Sequence, residues 1–258
     1  MLVEILEYLK LKDKAFSYID THAGAGLYNL KSEHAKKRGE WKEGIGKLSP
    51  DAWPELSTYF EAINTHNASS ELSFYPGSPL FAQQLLRHQD QAHLFELHSS
   101  DFPLLKQAIG PDKRIHFENK DGFEGLLKLL PPPSRRGFIL IDPSYEVKSD
   151  YENVVQAIRQ AHRIFATGIY ALWYPVVQRE RIDQMETQLQ KSGIRNIQQF
   201  ELGLAPDSEQ HGMTASGMIV INPPWVLMNK MNQILPKLAE TLDTGDGAYF
   251  KSEVLVGE

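Results

Sequence analysis

Residues 137–145 read Gly-Phe-Ile-Leu-Ile-Asp-Pro-Ser-Tyr, a run of bulky apolar residues that ends abruptly at an acid, a proline, a serine and an aromatic. Four consecutive apolar residues, with β-branched Ile139 and Ile141 among them, are typical of a central strand that helices cover on both faces. In such a sheet, ligands bind beyond the carboxyl ends of the strands. The segment therefore predicts a buried strand that delivers Asp142 into a crevice.

The turn after this strand carries groups that can act on a ligand. Asp142 offers a hydrogen-bond acceptor, Pro143 fixes the turn and leaves its carbonyl free, and Tyr145 offers a flat aromatic face. This set suits an exocyclic amine on a planar base. Asp, Pro and Ser are also common turn formers for purely local reasons, so a strand-ending turn without chemistry is the alternative.

A second stretch of the same kind lies upstream. Residues 18–26 read Tyr-Ile-Asp-Thr-His-Ala-Gly-Ala-Gly, so a short apolar strand leads into a turn with two glycines, Gly24 and Gly26. Glycines allow the backbone to approach a ligand closely. The pair alone is a weak signal, because Asn29 stands where the dinucleotide fingerprint has its third glycine.

The composition limits the classes of function. The chain has 258 residues, 41% of them hydrophobic, so it can bury a sizeable core. With 27 basic and 33 acidic side chains the net charge is −6, so any nucleic-acid site must be a local patch. The absence of cysteine excludes disulfides, thiolate metal sites and a cysteine nucleophile. Without a signal peptide or an apolar run of membrane-spanning length, we expect a cytoplasmic protein with no membrane partner.

Strand-like and helix-like segments alternate through most of the chain. An amphipathic helix opens it, with Leu2, Ile5 and Leu6 at helical spacing. The predicted strands are residues 15–19, 92–97, 115–119, 137–141, 168–174, 197–204 and 218–221. Helical stripes lie between most of these strands. The pattern predicts an α/β fold with a seven-stranded, doubly wound, Rossmann-like sheet.

Residues 29–78 interrupt this alternation. Charged and polar residues dominate there, and no clear strand appears. We expect a helical insertion subdomain at 29–78, after the first strand, with the main domain formed by residues 1–28 and 79–258. The insertion contains the densest basic cluster, Lys36, Lys37 and Arg38, for which a solvated helix face is the alternative to a binding role.

Further polar residues follow the next two strands. Glu96 comes near the end of the strand at 92–97, and acids at this place commonly bind ribose hydroxyls. His98 follows it. Asp121 and Gly122 come after the strand at 115–119. His98, like His22 in the glycine turn, is expected to be a local hydrogen-bonding residue rather than a general base.

These motifs together resemble an S-adenosylmethionine-dependent amino-methyltransferase. The resemblance is closer to the bacterial 23S ribosomal RNA adenine N6-methyltransferase family, whose target is adenine 2030 and whose members were earlier described as proteins for the use of external DNA. The segments that carry it are Pro-Gly-Ser-Pro at 76–79, Tyr-Ala-Leu-Trp-Tyr-Pro at 170–175 and Met-Thr-Ala-Ser-Gly-Met at 213–218. It covers nearly the whole chain, and the motifs are specific in combination.

The resemblance implies S-adenosylmethionine as the cofactor and 23S ribosomal RNA as the partner, with the methyltransferase domain formed by residues 1–28 and 79–258. The turn from Asp20 to Gly26 would wrap the methionine part of the cofactor, Glu96 would bind its ribose, and Asp121 with Gly122 would lie beside its adenine. The implied cofactor-binding residues are Asp20, His22, Ala23, Gly24, Gly26, Glu96, His98, Asp121, Gly122 and Asp142. Lys36, Lys37 and Arg38 are expected to bind the RNA through its phosphates. We expect a monomer, and no metal is required.

The resemblance also implies a catalytic tetrad, formed by Asp142, Pro143, Ser144 and Tyr145. An aromatic amine is a poor nucleophile, because its lone pair is delocalised into the ring. Hydrogen bonds from N6 to the Asp142 carboxylate and the Pro143 carbonyl would favour a more pyramidal nitrogen aimed at the methyl group. Tyr145 would stack on the target base, which must leave its stack in the RNA.

The sequence departs from the family in two places and contains a competing motif. Ser144 replaces the second proline of the usual tetrad, and we expect function to survive with looser geometry. Family members carry a further segment before the first helix, so we expect this chain to fold but to bind the cofactor weakly and methylate slowly.

Asn-Pro-Pro-Trp at 222–225 matches the residue types of the usual tetrad better than residues 142–145 do, but it follows the last predicted strand, far from the glycine turn. A DNA adenine N6-methyltransferase and a catalytically weak nucleic-acid-binding protein remain the alternatives.

Overall fold

A computed structural model gives the structure of residues 1–68, 71–147, 149–208 and 212–258, without the side chains of His34, Lys36 and Arg38. The helices in these ranges are α1 (Leu2–Lys10), α2 (Glu33–Arg38), α3 (Glu40–Glu43), α4 (Ser57–Asn64), α5 (Ser78–Leu85), α6 (Asp101–Ile109), α7 (Gly122–Leu129), α8 (Asp150–Ile164), α9 (Arg179–Gln190) and α10 (Leu227–Leu242). Short 3₁₀ helices are Ile45–Lys47, Pro50–Ala52 and Pro54–Leu56. None of the described helices is both long enough and apolar enough to cross a membrane.

The strands in the same ranges are β1 (Ser17–Asp20), β2 (Leu27–Asn29), β3 (Phe74–Pro76), β4 (Gln91–Phe95), β5 (Ile115–Glu118), β6 (Gly137–Ile141), β7 (Ile169–Val176), β8 (Ile197–Gly203), β9 (Ala215–Ile221) and β10 (Tyr249–Val256). Eight of them form one sheet in the order β10-β8-β9-β7-β6-β1-β4-β5. Strands β5, β4, β1, β6 and β7 are parallel, whereas β9 is antiparallel to both β7 and β8, and β10 is antiparallel to β8.

The prediction of an α/β fold with a large central sheet is confirmed, but the predicted count of seven strands is wrong. Strand β10 adds an eighth at the edge of the sheet. None of its residues is buried, so no continuous apolar run marks it in the sequence. The seven predicted strands correspond to the other strands of this sheet.

Two apolar layers cover the two faces of the sheet. Along β6, Phe138 and Leu140 pack into one buried cluster, while Ile139 and Ile141 pack into the other. This alternation follows from the period of two in a strand. Helices α1, α4, α5, α6 and α10 contribute to the first cluster, and α7, α8 and α9 to the second. A strand buried on both faces must be apolar throughout, as residues 138–141 are.

The region at 29–78 contains helices α2 to α4, the three 3₁₀ helices and, contrary to the prediction, strand β3 and the last residue of β2. Strands β2 and β3 form a separate antiparallel pair in which Tyr28 pairs with Tyr75. This pairing brings the two ends of the region together beside the glycine turn. The predicted domain boundaries, 1–28 with 79–258 and the insertion at 29–78, remain a prediction.

Candidate active site

Three acidic residues follow three neighbouring strands at one edge of the sheet. Asp20 ends β1, Glu96 directly follows β4, and Asp142 directly follows β6. Because β1 lies between β4 and β6 and all three are parallel, their carboxyl ends meet at this edge, which we call the carboxyl edge. From β1 the chain adds β4 and β5 on one side and then β6 and β7 on the other. The crevice where the strand order reverses, the usual ligand site of such sheets, therefore lies here.

Asp20 is fully buried at the carboxyl edge. Its Oδ2 accepts hydrogen bonds from the hydroxyls of Tyr18 and Ser78, both at 2.7 Å, and its Oδ1 accepts one from the backbone N–H of His22 at 3.3 Å. Burial raises the pKa of Asp20, while these hydrogen bonds lower it and offset part of the rise. Ser78 is a site residue that the sequence patterns did not assign, although it belongs to the Pro-Gly-Ser-Pro segment.

The glycine turn has a backbone that other residues cannot adopt easily. Gly24 and Gly26 have φ of +62° and +80°. A Cβ on Gly24 would lie 2.4 Å from the hydroxyl oxygen of Tyr28. The N–H of Gly77 donates to the Gly26 carbonyl at 2.7 Å, so the Pro-Gly-Ser-Pro segment packs directly on this turn. The turn is thus shaped for close approach of a backbone or a ligand.

Glu96 is buried and ties the glycine turn to β4. Its Oε2 accepts a hydrogen bond from the N–H of Gly24 at 2.7 Å. Its Oε1 accepts one from the N–H of His98 at 2.7 Å and lies 3.0 Å from Nδ1 of that ring. Each carboxylate oxygen has two lone pairs, so a ligand can still share them. Binding of ribose by Glu96 and a cofactor role for His98 remain predictions.

Asp121 and Gly122 have local roles at the start of α7. Oδ1 of Asp121 accepts hydrogen bonds from the N–H groups of Phe123 and Glu124, at 2.7 and 3.2 Å, and so caps the helix. A Cβ on Gly122 would lie 1.9 Å from the carbonyl oxygen of Thr21, so only glycine lets α7 begin this close to the end of β1. Their predicted place beside the adenine of the cofactor stays a prediction.

His22 lies between the glycine turn and α7. Its Nδ1 is 2.8 Å from the Thr21 hydroxyl, and its ring meets Phe123 edge to face with centroids 5.0 Å apart. Burial lowers the pKa of His22 to about 4, although nearby carboxylates raise it. The ring is therefore neutral near pH 7 and can exchange hydrogen bonds without carrying charge.

Asp142 opens into a cleft of about 800 Å³. Burial, and after it the nearby charge of Asp20, raises the pKa of Asp142 to about 7. Near neutral pH this carboxyl group can therefore accept an N–H and also take up a proton. Two carboxyl groups held together in such a site also favour a bound cation.

An aromatic side chain stands beside Asp142 on the same face of the sheet. Ile141 pairs with Leu172, so the next residues, Asp142 and Trp173, are neighbours across β6 and β7. Both line the cleft. Other residues that line the cleft include His22, Ala23, Tyr28, Gly77 and Ser78, together with apolar side chains from α1, α10 and the region at 29–78. Trp173 belongs to the Tyr-Ala-Leu-Trp-Tyr-Pro segment, and its place beside Asp142 follows only from the pairing of β6 with β7.

Tyr145 is fixed by its contacts with β7 and α8. It has φ of +54°, which is uncommon for an aromatic residue and typical of functional turns. Its hydroxyl donates to the Trp173 carbonyl at 2.6 Å, and its ring lies 4.7 Å from the ring of Tyr151. Pro143 before it is buried and Ser144 is exposed. Stacking of Tyr145 on a target base remains a prediction.

The competing motif at 222–225 lies at the opposite edge of the sheet, because β9 is antiparallel to β7 and ends beside its start. Nδ2 of Asn222 donates to the carbonyls of Ala166 and Gly168, both at 2.8 Å. Trp225 is 76% exposed. Asn222 is therefore a link between two turns and does not face the cleft at Asp142.

The predicted RNA-binding cluster can be placed only in part. Lys37 is exposed on α2. The side chains of Lys36 and Arg38 lie outside the described part of the chain, so this assignment stays a prediction.

Among the described residues, no group of three or more His, Cys, Asp or Glu side chains could hold a metal ion.

Comparison with known proteins gives consistent matches over nearly the whole chain. The model of the family described as "Ribosomal RNA large subunit methyltransferase D, RlmJ" matches residues 13–254. The Escherichia coli K12 protein named ribosomal RNA large subunit methyltransferase J is 54% identical over 240 residues, which cover 92% of this chain and 86% of the relative. The Haemophilus influenzae protein of the same name is 49% identical over 253 residues, which cover 96% of this chain and 90% of the relative.

A solved structure is also similar. The crystal structure of a Legionella pneumophila protein superposes on this chain with a TM-score of 0.89 and 36% sequence identity. The superposition covers 98% of this chain and 93% of that one. The matched region therefore includes nearly all of the chain.

Proposed function

The chain belongs to the RlmJ family of ribosomal RNA large subunit methyltransferases, and from this membership we propose that it methylates N6 of an adenine in 23S ribosomal RNA with S-adenosylmethionine as the donor. The observation that carries the proposal is the position of Asp142, at the carboxyl edge and inside the cleft. A ribosomal RNA substrate also favours action in the cytoplasm. The monomeric state remains a prediction.

Asp142 and Pro143 supply the acceptors that an aromatic amine needs. The Asp142 carboxylate accepts one N6–H and the Pro143 carbonyl accepts the other, which turns the nitrogen lone pair toward the methyl group. After transfer the nitrogen must lose a proton. Because the pKa of Asp142 is raised to about 7, its carboxylate can take that proton near neutral pH.

The aromatic surroundings of Asp142 suit a planar base. The side chain of Trp173 stands next to Asp142 in the cleft. Tyr145 is held against Tyr151 and bonded to the Trp173 carbonyl, so its ring orientation is set before any ligand arrives. The Trp173 ring beside Asp142 would orient the base as well as bind it, whereas the Tyr145 ring packs with the cluster on the other face of the sheet and does not line the cleft.

The carboxyl edge fits a positively charged donor. Asp20 is buried and Asp142 is partly buried, and both have a raised pKa, so a nearby cation would offset the cost of holding their charges away from water. S-adenosylmethionine supplies, when bound, an electrophilic methyl group on a positively charged sulfur. The residues that we propose to hold it are Asp20, His22, Ala23, Gly24, Gly26, Glu96, His98, Asp121, Gly122 and Asp142. Of these residues His22, Ala23 and Asp142 line the cleft, and its volume of about 800 Å³ is in the range of small-molecule sites; the other seven do not line it.

A transfer assay tests the proposal. The chain is incubated with S-adenosylmethionine carrying a tritiated methyl group and, in separate reactions, with protein-free 23S ribosomal RNA, assembled large subunits and duplex DNA of the same sequence. We expect label in at least one of the RNA substrates and none in DNA. Calorimetry is used as a control, to show that the chain binds S-adenosylmethionine under the conditions of the assay. Label in DNA alone, or binding of the cofactor without transfer to any substrate, would contradict the proposal.

A further inference from the structure

A cation, Arg181, lies beside the proposed catalytic turn. Arg181, in the first turn of α9, holds its guanidinium carbon 5.7 Å from the ring centroid of Tyr151. The Tyr151 ring in turn packs on Tyr145 at 4.7 Å. Within the ranges that the structure describes, Arg181 forms no ion pair. It is therefore a positive charge one aromatic ring away from the proposed catalytic tetrad.

The neighbouring arginine is committed to the fold. The guanidinium of Arg179 lies 2.6 Å from Oε1 of buried Glu201 and 2.7 Å from Oδ2 of Asp207. Breaking such a pair would leave a buried carboxylate without a partner, which is costly. Arg179 is thus unavailable for a ligand, whereas Arg181 is available.

Arg181 is held in place with part of its hydrogen-bonding capacity unused. Its Nε donates to Oε1 of Gln178, and the Tyr151 ring supports the guanidinium plane. In the described part of the chain its two terminal nitrogens have no hydrogen-bond partner. A planar fork of donors with a fixed base matches the oxygens of a phosphate group.

Exposed apolar side chains continue from Arg181 along the carboxyl edge. Val177, Leu204 and Met213 are 43%, 39% and 59% exposed. Their segments are joined, because the N–H of Thr214 donates to the Val176 carbonyl at 2.9 Å and the N–H of Leu204 donates to the Thr214 carbonyl at 3.0 Å. We call the surface formed by Val177, Arg181, Leu204 and Met213 the β7–β9 rim.

We propose that the single-stranded RNA adjoining the target adenine lies along the β7–β9 rim, with one of its phosphates on Arg181. The proposal rests on the proposed function, because a base seated beside Asp142 must belong to a strand that leaves over an adjoining surface. The rim adjoins Tyr151 and Tyr145, and it pairs a cation with apolar contacts for bases. In a chain with net charge −6, such a local cation is needed to meet a polyanion.

The salt dependence of RNA binding tests the phosphate contact. The affinity of protein-free 23S ribosomal RNA, transcribed in vitro, is measured over a series of salt concentrations for the whole chain and for Arg181→Gln. We expect Arg181→Gln to bind about tenfold more weakly at moderate salt. The slope of log affinity against log salt should become shallower by about one unit. Arg181→Lys keeps the charge and should keep the slope.

The matched control is Arg163→Gln, which removes the same charge from an exposed position. Arg163 lies in the last turn of α8, whereas Tyr151 lies in its first turn, so the two are at opposite edges of the sheet. Arg163→Gln should leave both affinity and slope unchanged. Met213→Ser should weaken binding about threefold without changing the slope, since it removes apolar contact only.

Two results would contradict the binding of RNA along the β7–β9 rim. One is a salt-dependence slope for Arg181→Gln equal to that of the unsubstituted chain, and the other is an equal decrease of that slope in Arg163→Gln. Failure of the proposed function looks different, because the slope is read from binding and not from transfer. An unsubstituted chain that binds RNA with the Arg181-dependent slope but transfers no methyl group would refute the proposed chemistry and support the rim.

Discussion

The turns at 142–145 and 222–225 look alike in sequence and differ in almost every structural respect. Each follows a buried strand, and each contains a non-glycine residue in the left-handed region, Tyr145 at +54° and Asn222 at +52°. Strand β6 is parallel to its neighbours and delivers Asp142 to the cleft, whereas β9 is antiparallel and delivers Asn222 to the other edge. The direction of the strand, rather than the letters of the turn, decides which turn can meet a ligand.

The largest expected effect separates the two turns by rate. Asp142→Ala should lower the rate of methyl transfer about a thousandfold, because it removes both the acceptor of N6–H and the proton acceptor. Asn222→Ala should stay within about threefold of the unsubstituted rate at a temperature where it is folded. Initial rates with labelled S-adenosylmethionine measure both, and calorimetry checks that cofactor affinity changes only a few-fold. An inactive Asn222→Ala beside an active Asp142→Ala would reverse the assignment.

The pH profile tests how Asp142 acts. With the pKa of Asp142 raised to about 7, kcat/KM should rise about tenfold per pH unit below that value and level off above it, as the ionised acceptor is populated. Asp142→Asn keeps an oxygen acceptor but cannot ionise, so its kcat/KM should be low and flat over the same range. The same ascending limb in Asp142→Asn would assign the titration to another group.

Stability should change in opposite directions at the two turns. The folded chain raises the pKa of Asp142 above its ordinary value of 3.8, so this carboxyl costs stability as the pH rises from about 4 through about 7. Asp142→Asn should therefore stabilise the cofactor-free chain by ~2–4 kcal/mol at pH 8 and by less at pH 5. Asn222→Ala should lower the free energy of unfolding by ~1–3 kcal/mol at both pH values, because the carbonyls of Ala166 and Gly168 lose their hydrogen-bond donor. Urea unfolding at pH 5 and pH 8 measures both, and a destabilised Asp142→Asn at pH 8 would be inconsistent with a buried charge.

The smallest effects concern the aromatic residue of each turn. Tyr145→Phe keeps the ring but loses the hydrogen bond to the Trp173 carbonyl, so the rate should fall about fivefold. Trp225→Ala should change neither the activation free energy of methyl transfer nor the free energy of unfolding by more than about 0.5 kcal/mol, because the side chain is largely exposed. Initial rates measure the effect on transfer, and the midpoints of urea unfolding measure the effect on stability. An effect of Trp225→Ala on transfer as large as that of Tyr145→Phe would give the opposite edge a role in the reaction.

Much of the fold could be predicted, because burial leaves a signal in the sequence. Strand β6 is buried throughout and reads as an apolar run, and α8 shows clean helical spacing. Strand β10 has no buried residue, and the pair β2 and β3 is short and largely exposed, so neither leaves such a run. These elements are fixed by partners that lie elsewhere in the chain.

The candidate site was predictable in position but not in its connections. The order of strands was enough to bring Asp20, Glu96 and Asp142 to one edge. The bond from Ser78 to Asp20 spans 58 positions, and that from Gly24 to Glu96 spans 72, so no local pattern reveals them. The rise in the pKa of Asp142 likewise comes from burial and from Asp20, both of which exist only once the strands have paired.

The most direct test of Asp142 as the residue that acts on N6 of adenine is nucleoside analysis of the product. The RNA substrate that accepts label in the transfer assay is treated with the unsubstituted chain, Asp142→Ala or Asn222→Ala in the presence of S-adenosylmethionine, digested to nucleosides and examined by mass spectrometry. We predict N6-methyladenosine from the unsubstituted chain and from Asn222→Ala, and none above background from Asp142→Ala. A methyl group on a different nucleoside, or N6-methyladenosine that survives Asp142→Ala and disappears in Asn222→Ala, would contradict this assignment.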